Sequence, residues 1–214
     1  MLNEQSPRIT LDAAFNYLLP ERGGFADSLP NRLREKMTAV TTPHAYHNER
    51  HIVAVLACVF RWSAGEPSLP LVAAALYHDA VYDPTRHDNE LQSAVFCHDE
   101  LTRTGVPVLR IVQAINLILA TAYHQPHLQN ADEVTMVDAD LFILGSAPAT
   151  YETYVQAIRT EYRHLSDEQW RTGRRGLLER FLQRERLYHG TWDGCAEREA
   201  QARANITAEI ASLR

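Results

Sequence analysis

The sequence has little lysine and no cluster of basic residues, which argues against nucleic acid as a partner. Lys36 is the single lysine among 21 basic residues, and the arginines are spread along the chain without forming a basic stripe. The 27 acidic residues outnumber them and give a formal charge of −6. Proteins that bind nucleic acid through its phosphates have the opposite balance, so we expect no nucleic-acid partner.

Cysteine is also scarce, and long apolar runs are missing. Cys58, Cys97 and Cys195 are odd in number, far apart and in no CxxC pair, a pattern typical of a reducing cytosol. No window approaches the ~20 uninterrupted apolar residues of a membrane span. The first residues do not resemble a signal peptide. We therefore expect a cytoplasmic protein that is neither secreted nor membrane-bound.

What the sequence does contain is enough apolar residues for one compact core. The chain has 214 residues, of which 45% are hydrophobic and 22% charged. At this length roughly 70% of the surface of the unfolded chain can be buried, so neither disulfides nor a structural zinc ion is needed for stability. We expect residues 1–214 to form a single domain in which a bound metal would serve chemistry.

Apolar residues recur at spacings of three and four along nearly the whole chain, and this periodicity predicts an all-α fold of about ten helices. No alternating pattern typical of a strand competes with it, and glycine and proline fall between the periodic segments. The spacing of Ser166 and Gln169 is that of a capping box, which predicts a helix start. The predicted helices span Leu11–Leu19, Leu29–Val40, His51–Trp62, Leu69–Tyr82, Glu90–Thr104, Val108–Thr121, Asp132–Leu144, Tyr151–His164, Asp167–Tyr188 and Glu197–Leu213.

Two of these segments are apolar on almost every side yet carry ionisable residues. LPLVAAALYHDAVY contains His78 and Asp79, and VTMVDADLFIL contains Asp138 and Asp140. A helix that is apolar all round is buried, and an unpaired charge inside it costs several kcal/mol. A hydrogen bond between His78 and Asp79 would satisfy that pair but would leave the other aspartates unexplained. A divalent cation that binds imidazole and carboxylate would explain all of them.

The spacing of these residues suits a shared ion. His78 and Asp79 are about 100° apart on a helix and can flank one ion. Asp138 and Asp140 are two residues apart and point to nearly opposite sides, so only one of them is expected to reach the metal.

Histidines supply further candidate ligands, because eight of the ten fall between His44 and His127. His47 and His51 are four residues apart and share one face if the turn between them is helical. Three other histidines lie among polar residues and are expected at the surface, namely His98, His164 and His189.

In this order the motifs resemble the HD superfamily of metal-dependent phosphohydrolases. YHNERHI, LYHDAVYDP, NELQSA, VDADLFILG and EAQARANITAEI together are similar to a bacterial group of predicted HD phosphohydrolases, over roughly residue 45 to the end of the chain. YHNxxH also resembles the opening motif of cyclic-nucleotide phosphodiesterases. His44 departs from the group, whose pattern has an arginine near this place. The resemblance implies an HD-domain helical bundle with a metal-site core at about 44–145 and C-terminal helices at about 150–214 packed on it.

The resemblance implies four metal ligands, which are His51, His78, Asp79 and Asp140. It selects Asp140 because the phosphodiesterase pattern ends in Asp-Leu, as the sequence does there. Asp138 then becomes a core residue or a support for a ligand.

The resemblance also implies catalytic roles. His47 matches the residue that donates a proton to the leaving oxygen, with Asn48 positioning or capping that turn and a carboxylate such as Glu49 or Glu90 keeping His47 protonated. Asp79 is expected to accept a proton from the attacking water as well as to bind the metal. Glu90 is open to two interpretations, a partner for a water at the metal or an ordinary acidic first turn of a helix.

Several neighbouring residues are candidates for a second metal or for the phosphate. His124 and His127 follow a helix that resembles the phosphodiesterase ILAT segment, and His124 is the preferred of the two. Arg50, Arg86 and His87 lie next to the implied ligands and could neutralise phosphate oxygens or lie in solvated loops.

The expected function is metal-dependent hydrolysis of phosphate esters, by a phosphomonoesterase or phosphodiesterase acting on a nucleotide or other small phosphorylated metabolite. The expected cofactor is a divalent ion, and Mn, Fe, Ni, Co, Zn and Mg all stay open. The alternatives are a di-iron oxygenase of the HD type and a non-catalytic, metal-containing nucleotide-binding protein. The chain is expected to be a monomer or a homodimer.

Overall fold

The computed structural model describes residues 9–19, 24–39, 44–63 and 65–213, and in these ranges the protein contains helices and no strand. The predicted all-α fold is therefore confirmed. The ten α-helices of the described ranges are α1 (Leu11–Leu18), α2 (Leu29–Thr38), α3 (Glu49–Trp62), α4 (Leu69–Tyr77), α5 (Asn89–Thr102), α6 (Val108–Ala120), α7 (Ala131–Asp140), α8 (Pro148–Glu161), α9 (Asp167–Gln183) and α10 (Cys195–Ser212). Short 3₁₀ helices lie at Gly24–Ser28 and Leu141–Gly145. None of the described helices is both long and apolar enough to cross a membrane.

Some sequence expectations concern residues outside the described ranges. The predicted end of the second helix at Val40 and the first eight residues of the chain belong to this group.

Polar side chains cap the N-termini of several helices by accepting hydrogen bonds from backbone N–H groups. The predicted capping box is confirmed, since Ser166 Oγ accepts the amide of Gln169 at 3.2 Å and Gln169 Oε1 accepts the amide of Ser166 at 2.9 Å. Asn48 caps α3 in the same way through the amide of Arg50, at 2.9 Å. These bonds satisfy amides that have no partner within the helix.

The fourth predicted helix is shorter than expected, because α4 ends at Tyr77 instead of Tyr82. After Tyr77 the chain turns, and the amide of Val81 donates to the hydroxyl of Ser93 on α5 at 3.0 Å. His78 and Asp79 therefore lie on the turn that follows α4 and not in the middle of a helix. A tertiary hydrogen bond replaces the helical one at this point.

The predicted helix Asp132–Leu144 is divided in two, and a single hydroxyl holds the second part. In a continuous helix the amide of Gly145 would donate to the carbonyl of Leu141. Instead Gly145 N donates to the Tyr188 hydroxyl at 3.0 Å, and that hydroxyl donates to Leu141 O at 3.0 Å. Helix α7 ends at Asp140 and continues as a 3₁₀ turn, whose two ends this hydroxyl joins.

The apolar residues form two cores, with α7 between them. The N-terminal core includes Leu11, Phe15, Leu29, Leu33, Ile52, Leu56, Leu71, Leu76, Leu101, Ile111 and Ile118. The C-terminal core includes Leu141, Leu144, Tyr151, Leu178, Phe181, Leu187, Tyr188 and Ile206. Helix α7 contributes Met136 to the first and Val137 to the second. This packing fixes the end of α7, and with it Asp140, beside α3 and α4.

Candidate metal centre

His51 lies in the first turn of α3 and points into the protein. The side chain of Asn48 caps the N-terminus of this helix. The ring of Tyr46 packs on the His51 imidazole, with ring centres 4.7 Å apart. His51 is buried, with 6% of its surface exposed. The helix start therefore orients an imidazole towards the C-terminal end of α4.

His78 follows the last residue of α4 and is held in one tautomer. Its Nδ1 lies 3.1 Å from the carbonyl oxygen of Ala75. Because a carbonyl can only accept, Nδ1 carries the proton and neutral His78 has its lone pair on Nε2. Hydrogen bonds of this kind orient histidines that bind metals.

Asp140, the last residue of α7, completes the group with Asp79. Asp140 Oδ1 is 3.1 Å from His51 Nε2 and 3.6 Å from His78 Nε2. Asp79 Oδ2 is 3.4 Å and 3.3 Å from the same two nitrogens. One ligand atom from each of the four residues lies within 4.8 Å of the other three. We call these four residues the metal group.

The chemistry of the metal group fits a cation. Asp79 Oδ2 is buried and has no hydrogen-bond partner among the described residues, and the two Nε2 atoms lie 3.1 Å apart. Imidazole nitrogens and carboxylate oxygens that crowd together out of water, one of them without a donor, are unfavourable unless positive charge lies between them. Two imidazoles and two carboxylates suit a divalent transition metal. The four residues could therefore hold a metal ion.

The charges in the metal group shift one another's pKa values. Burial opposes a charge on His78, but Asp79 and Asp140 outweigh this effect and raise its pKa well above the ordinary value. Burial likewise opposes a charge on Asp140, yet hydrogen bonds from His124 and His51 hold its pKa well below the usual range. The carboxylates therefore stay ionised near neutral pH and attract positive charge.

His47 lies beside the metal group and forms an ion pair with Glu161 at the end of α8. His47 Nδ1 donates to Glu161 Oε2 at 2.7 Å, and Glu161 Oε1 accepts the amides of Tyr46 and His47 at 2.7 and 2.9 Å. The His47 ring also stacks on Tyr82, with ring centres 3.7 Å apart. Burial alone would lower the pKa of His47, but the charges of Asp79 and Glu161 raise it.

The carboxylate that supports His47 differs from the two expected. Glu49 pairs with Arg34 at 3.0 Å instead. Glu90 is half-buried in the first turn of α5, and its side chain forms no hydrogen bond or ion pair with any described residue. Glu161 lies 114 positions after His47, and no local pattern in the sequence points to it.

The neighbours of Glu90 hold the loop that follows Asp79. The Asn89 side chain accepts the amide of Asp83 at 3.0 Å and donates to its carbonyl at 2.9 Å. Ser93 bonds the backbone of Val81. The NELQSA segment thus acts on the metal group by fixing the turn that carries His78 and Asp79.

The candidates for a second metal or for phosphate lie in different places. His124 Nε2 is 2.9 Å from Asp140 Oδ2, so this residue adjoins the metal group. The side chain of His127 is 88% exposed and pairs with Glu133 at 2.8 Å. Arg86 pairs with Asp88 at 2.6 Å.

Two further candidates, Arg50 and His87, are exposed. Within the described ranges, His127, Arg50, Arg86 and His87 form no hydrogen bond or ion pair with the metal group.

Asp138 points away from the metal group and has its own set of donors. It is fully buried and accepts the amides of His189 and Gly190 and the indole N–H of Trp192, at 2.9, 2.8 and 3.0 Å. It therefore ties α7 to the segment before α10.

The remaining histidines differ in burial. His98 and His164 are exposed, as predicted, whereas His189 is half-buried. His44 lies edge-on to Tyr82, with ring centres 5.9 Å apart. Both ring nitrogens of His44 are buried without a hydrogen-bond partner in the described part of the chain.

The chain was compared with protein-family models, curated proteins and solved structures. None of the three comparisons finds a match. The HD superfamily membership that the motifs imply therefore stays a prediction.

Proposed function

We propose that the protein is a metal-dependent hydrolase of phosphate esters that acts on a nucleotide or another small phosphorylated metabolite. The observation that carries the proposal is the convergence of one atom each from His51, His78, Asp79 and Asp140 within 4.8 Å. An ion-paired histidine beside this metal group adds a proton donor for the leaving oxygen.

A divalent cation held by the metal group would supply an activated water and would neutralise charge on a phosphoryl oxygen. Asp79 accepts a proton from the attacking water with the carboxylate oxygen that does not bind the ion. A bond from the water oxygen to phosphorus forms as the ester P–O bond breaks.

His47 supplies the second proton of the reaction, which goes to the leaving oxygen. Glu161 holds the proton on Nδ1 and raises the pKa of His47 together with Asp79. The protonated ring therefore has a second N–H at Nε2, which donates to the leaving oxygen. Stacking on Tyr82 limits rotation of this ring.

Elemental analysis of the purified protein, followed by a phosphoester panel, tests the proposal. The panel contains p-nitrophenyl phosphate, bis(p-nitrophenyl) phosphate and common nucleotides, each assayed with and without a chelator. We expect about one divalent ion per chain, turnover that chelation abolishes, and loss of both ion and turnover in Asp79→Ala.

The chain supplies a matched control for this substitution. His98 and Asp99 also form a His-Asp pair, but their side chains are 54% and 56% exposed. Asp99→Ala should keep the ion and the full activity. Turnover by metal-free protein would refute the proposal.

A di-iron oxygenase is the second candidate, and His124 is the observation that favours it. A third imidazole next to Asp140 could serve a second ion. Two irons per chain with oxygen-dependent turnover would select this function over hydrolysis.

A further inference from the structure

His124 has a backbone conformation that its residue type seldom adopts. Its φ is +48°, and no other non-glycine residue in the described part of the chain has a positive φ. Side chains with a Cβ are disfavoured in this left-handed region. Such a conformation persists where surrounding contacts enforce it, and it often occurs at functional sites.

Arg184 supplies these contacts from the end of α9. Its Nη1 donates to the carbonyl of His124 at 2.7 Å, and its Nη2 donates to the carbonyl of Tyr123 at 2.9 Å. The guanidinium also lies over the ring of Phe181, 4.7 Å from its centre. One planar side chain thus fixes two successive peptide groups.

The left-handed turn determines where the His124 imidazole lies. Nε2 is 2.9 Å from Asp140 Oδ2, and because an ionised carboxylate only accepts, Nε2 is the donor. The other oxygen of Asp140, Oδ1, faces His51 and His78. The hydrogen bond from His124 therefore fixes the rotation of the Asp140 carboxylate.

We propose that Arg184 is a positioning residue for the metal group, acting through His124. It holds the 123–124 turn so that the imidazole donates to Asp140 and keeps Oδ1 directed at the other ligands. In this arrangement His124 is a hydrogen-bond donor and not a ligand of a second ion. The inference rests on the proposed metal centre.

Titration with Co²⁺ alone tests the inference, because the visible absorption of bound Co²⁺ reports both affinity and coordination. The proteins are the wild type, His124→Ala, Arg184→Met and the double variant. Losing a partner that orients a ligand typically costs 10–100-fold in metal affinity. We expect His124→Ala to weaken Co²⁺ binding at least about tenfold, and Arg184→Met to weaken it by a similar or smaller factor.

The double variant is the decisive member of this set. If Arg184 acts through His124, the double variant binds Co²⁺ no more weakly than His124→Ala does. If the fold loss of Co²⁺ affinity in the double variant equals the product of the two single losses, the inference is overturned. Two Co²⁺ ions per wild-type chain, of which His124→Ala loses one, would overturn it as well.

Two further arginine variants act as controls. Arg180 lies one turn earlier on α9 and is exposed, so Arg180→Met should bind Co²⁺ as the wild type does. Arg184→Lys keeps a donor for one carbonyl and should bind with intermediate affinity. It also replaces Arg184→Met in the cycle if that variant does not fold.

A measurement without metal separates this inference from the proposed function. The amide of His124 donates to Ala120 O at 3.2 Å, and its hydrogen exchange reports whether the turn is held. We expect Arg184→Met to speed this exchange about tenfold or more. Wild-type protein that binds no Co²⁺ would refute the metal centre, whereas unchanged exchange in Arg184→Met would refute the contact made by Arg184.

Discussion

The Arg174–Glu209 ion pair and the metal group are both buried, but they differ in the balance of donors and acceptors. Glu209 accepts Arg174 Nε at 2.8 Å, Arg174 Nη2 at 3.1 Å and the hydroxyl of Tyr151. Its charge is neutralised and its oxygens are satisfied. In the metal group, four ligand atoms crowd together and Asp79 Oδ2 has no hydrogen-bond partner in the described residues.

This difference distinguishes a structural ion pair from a functional site more clearly than burial does. A balanced buried pair needs nothing from outside and contributes to the uniqueness of the fold. An unbalanced group is costly unless a ligand completes it, and such groups are typical of binding and catalytic sites. We therefore assign stability to Arg174 and Glu209, whereas the metal group could hold a cation.

The largest expected effect comes from breaking the balanced pair. Glu209→Ala leaves the guanidinium of Arg174 buried without a counter-charge, which should lower the free energy of unfolding by about 3–5 kcal/mol. Urea denaturation measures this change. Glu179→Ala removes a partner from the exposed Arg175–Glu179 pair and should cost at most about 0.5 kcal/mol. Equal costs for the two substitutions would contradict the assignment.

A second comparison uses the His47–Glu161 pair, which is balanced but lies beside the metal group. If His47 donates a proton to the leaving oxygen, His47→Ala should lower turnover of a nucleotide about a hundredfold or more, with metal content unchanged. With p-nitrophenyl phosphate the loss should be below about tenfold, because that leaving group needs little protonation. Steady-state assays of both substrates measure the contrast.

The control for His47→Ala is His164→Ala, since His164 is exposed. It should retain full activity on both substrates. An equal loss with both substrates in His47→Ala would assign the residue to structure instead.

Added Co²⁺ should stabilise the protein through the metal group and not through the Arg174–Glu209 ion pair. At a free Co²⁺ concentration ten times the dissociation constant, wild-type protein should gain about 1.4 kcal/mol in the free energy of unfolding. The gain should vanish in His78→Ala, which lacks a ligand, and persist in His98→Ala. Thermal unfolding with and without Co²⁺ measures it. A gain retained in His78→Ala would place the cation elsewhere.

Helical periodicity predicted the helices because it depends on residues that are close in the sequence. The four candidate ligands came from the family resemblance, supported by charged residues within apolar segments. The ends of α4, α7 and α9 were predicted wrongly, since these helices end at Tyr77, Asp140 and Gln183. After α4 and α7, hydroxyls of Ser93 and Tyr188 bond backbone groups that a longer helix would use.

Two residues that hold the neighbours of the metal group were missed altogether. Glu161 lies 114 positions from His47, and Arg184 lies 60 positions from His124. Their partners are set by how α8 and α9 pack, and no local spacing in the sequence encodes such a contact.

The smallest expected effect concerns a neutral group of the C-terminal core, the hydroxyl of Tyr188, whose hydrogen bonds are also satisfied. Tyr188→Phe removes the group that joins Gly145 N to Leu141 O. An amide and a carbonyl left unpaired would together cost more than one hydrogen bond, but these two are four residues apart and can pair with each other in a helical bond. We therefore expect a loss of only about 1 kcal/mol by urea denaturation, whereas Tyr123→Phe, at a 78% exposed residue, should cost nothing measurable. A loss of about 3 kcal/mol in Tyr188→Phe would mean that the 3₁₀ turn after Asp140 is enforced by the surrounding packing and not by this hydroxyl.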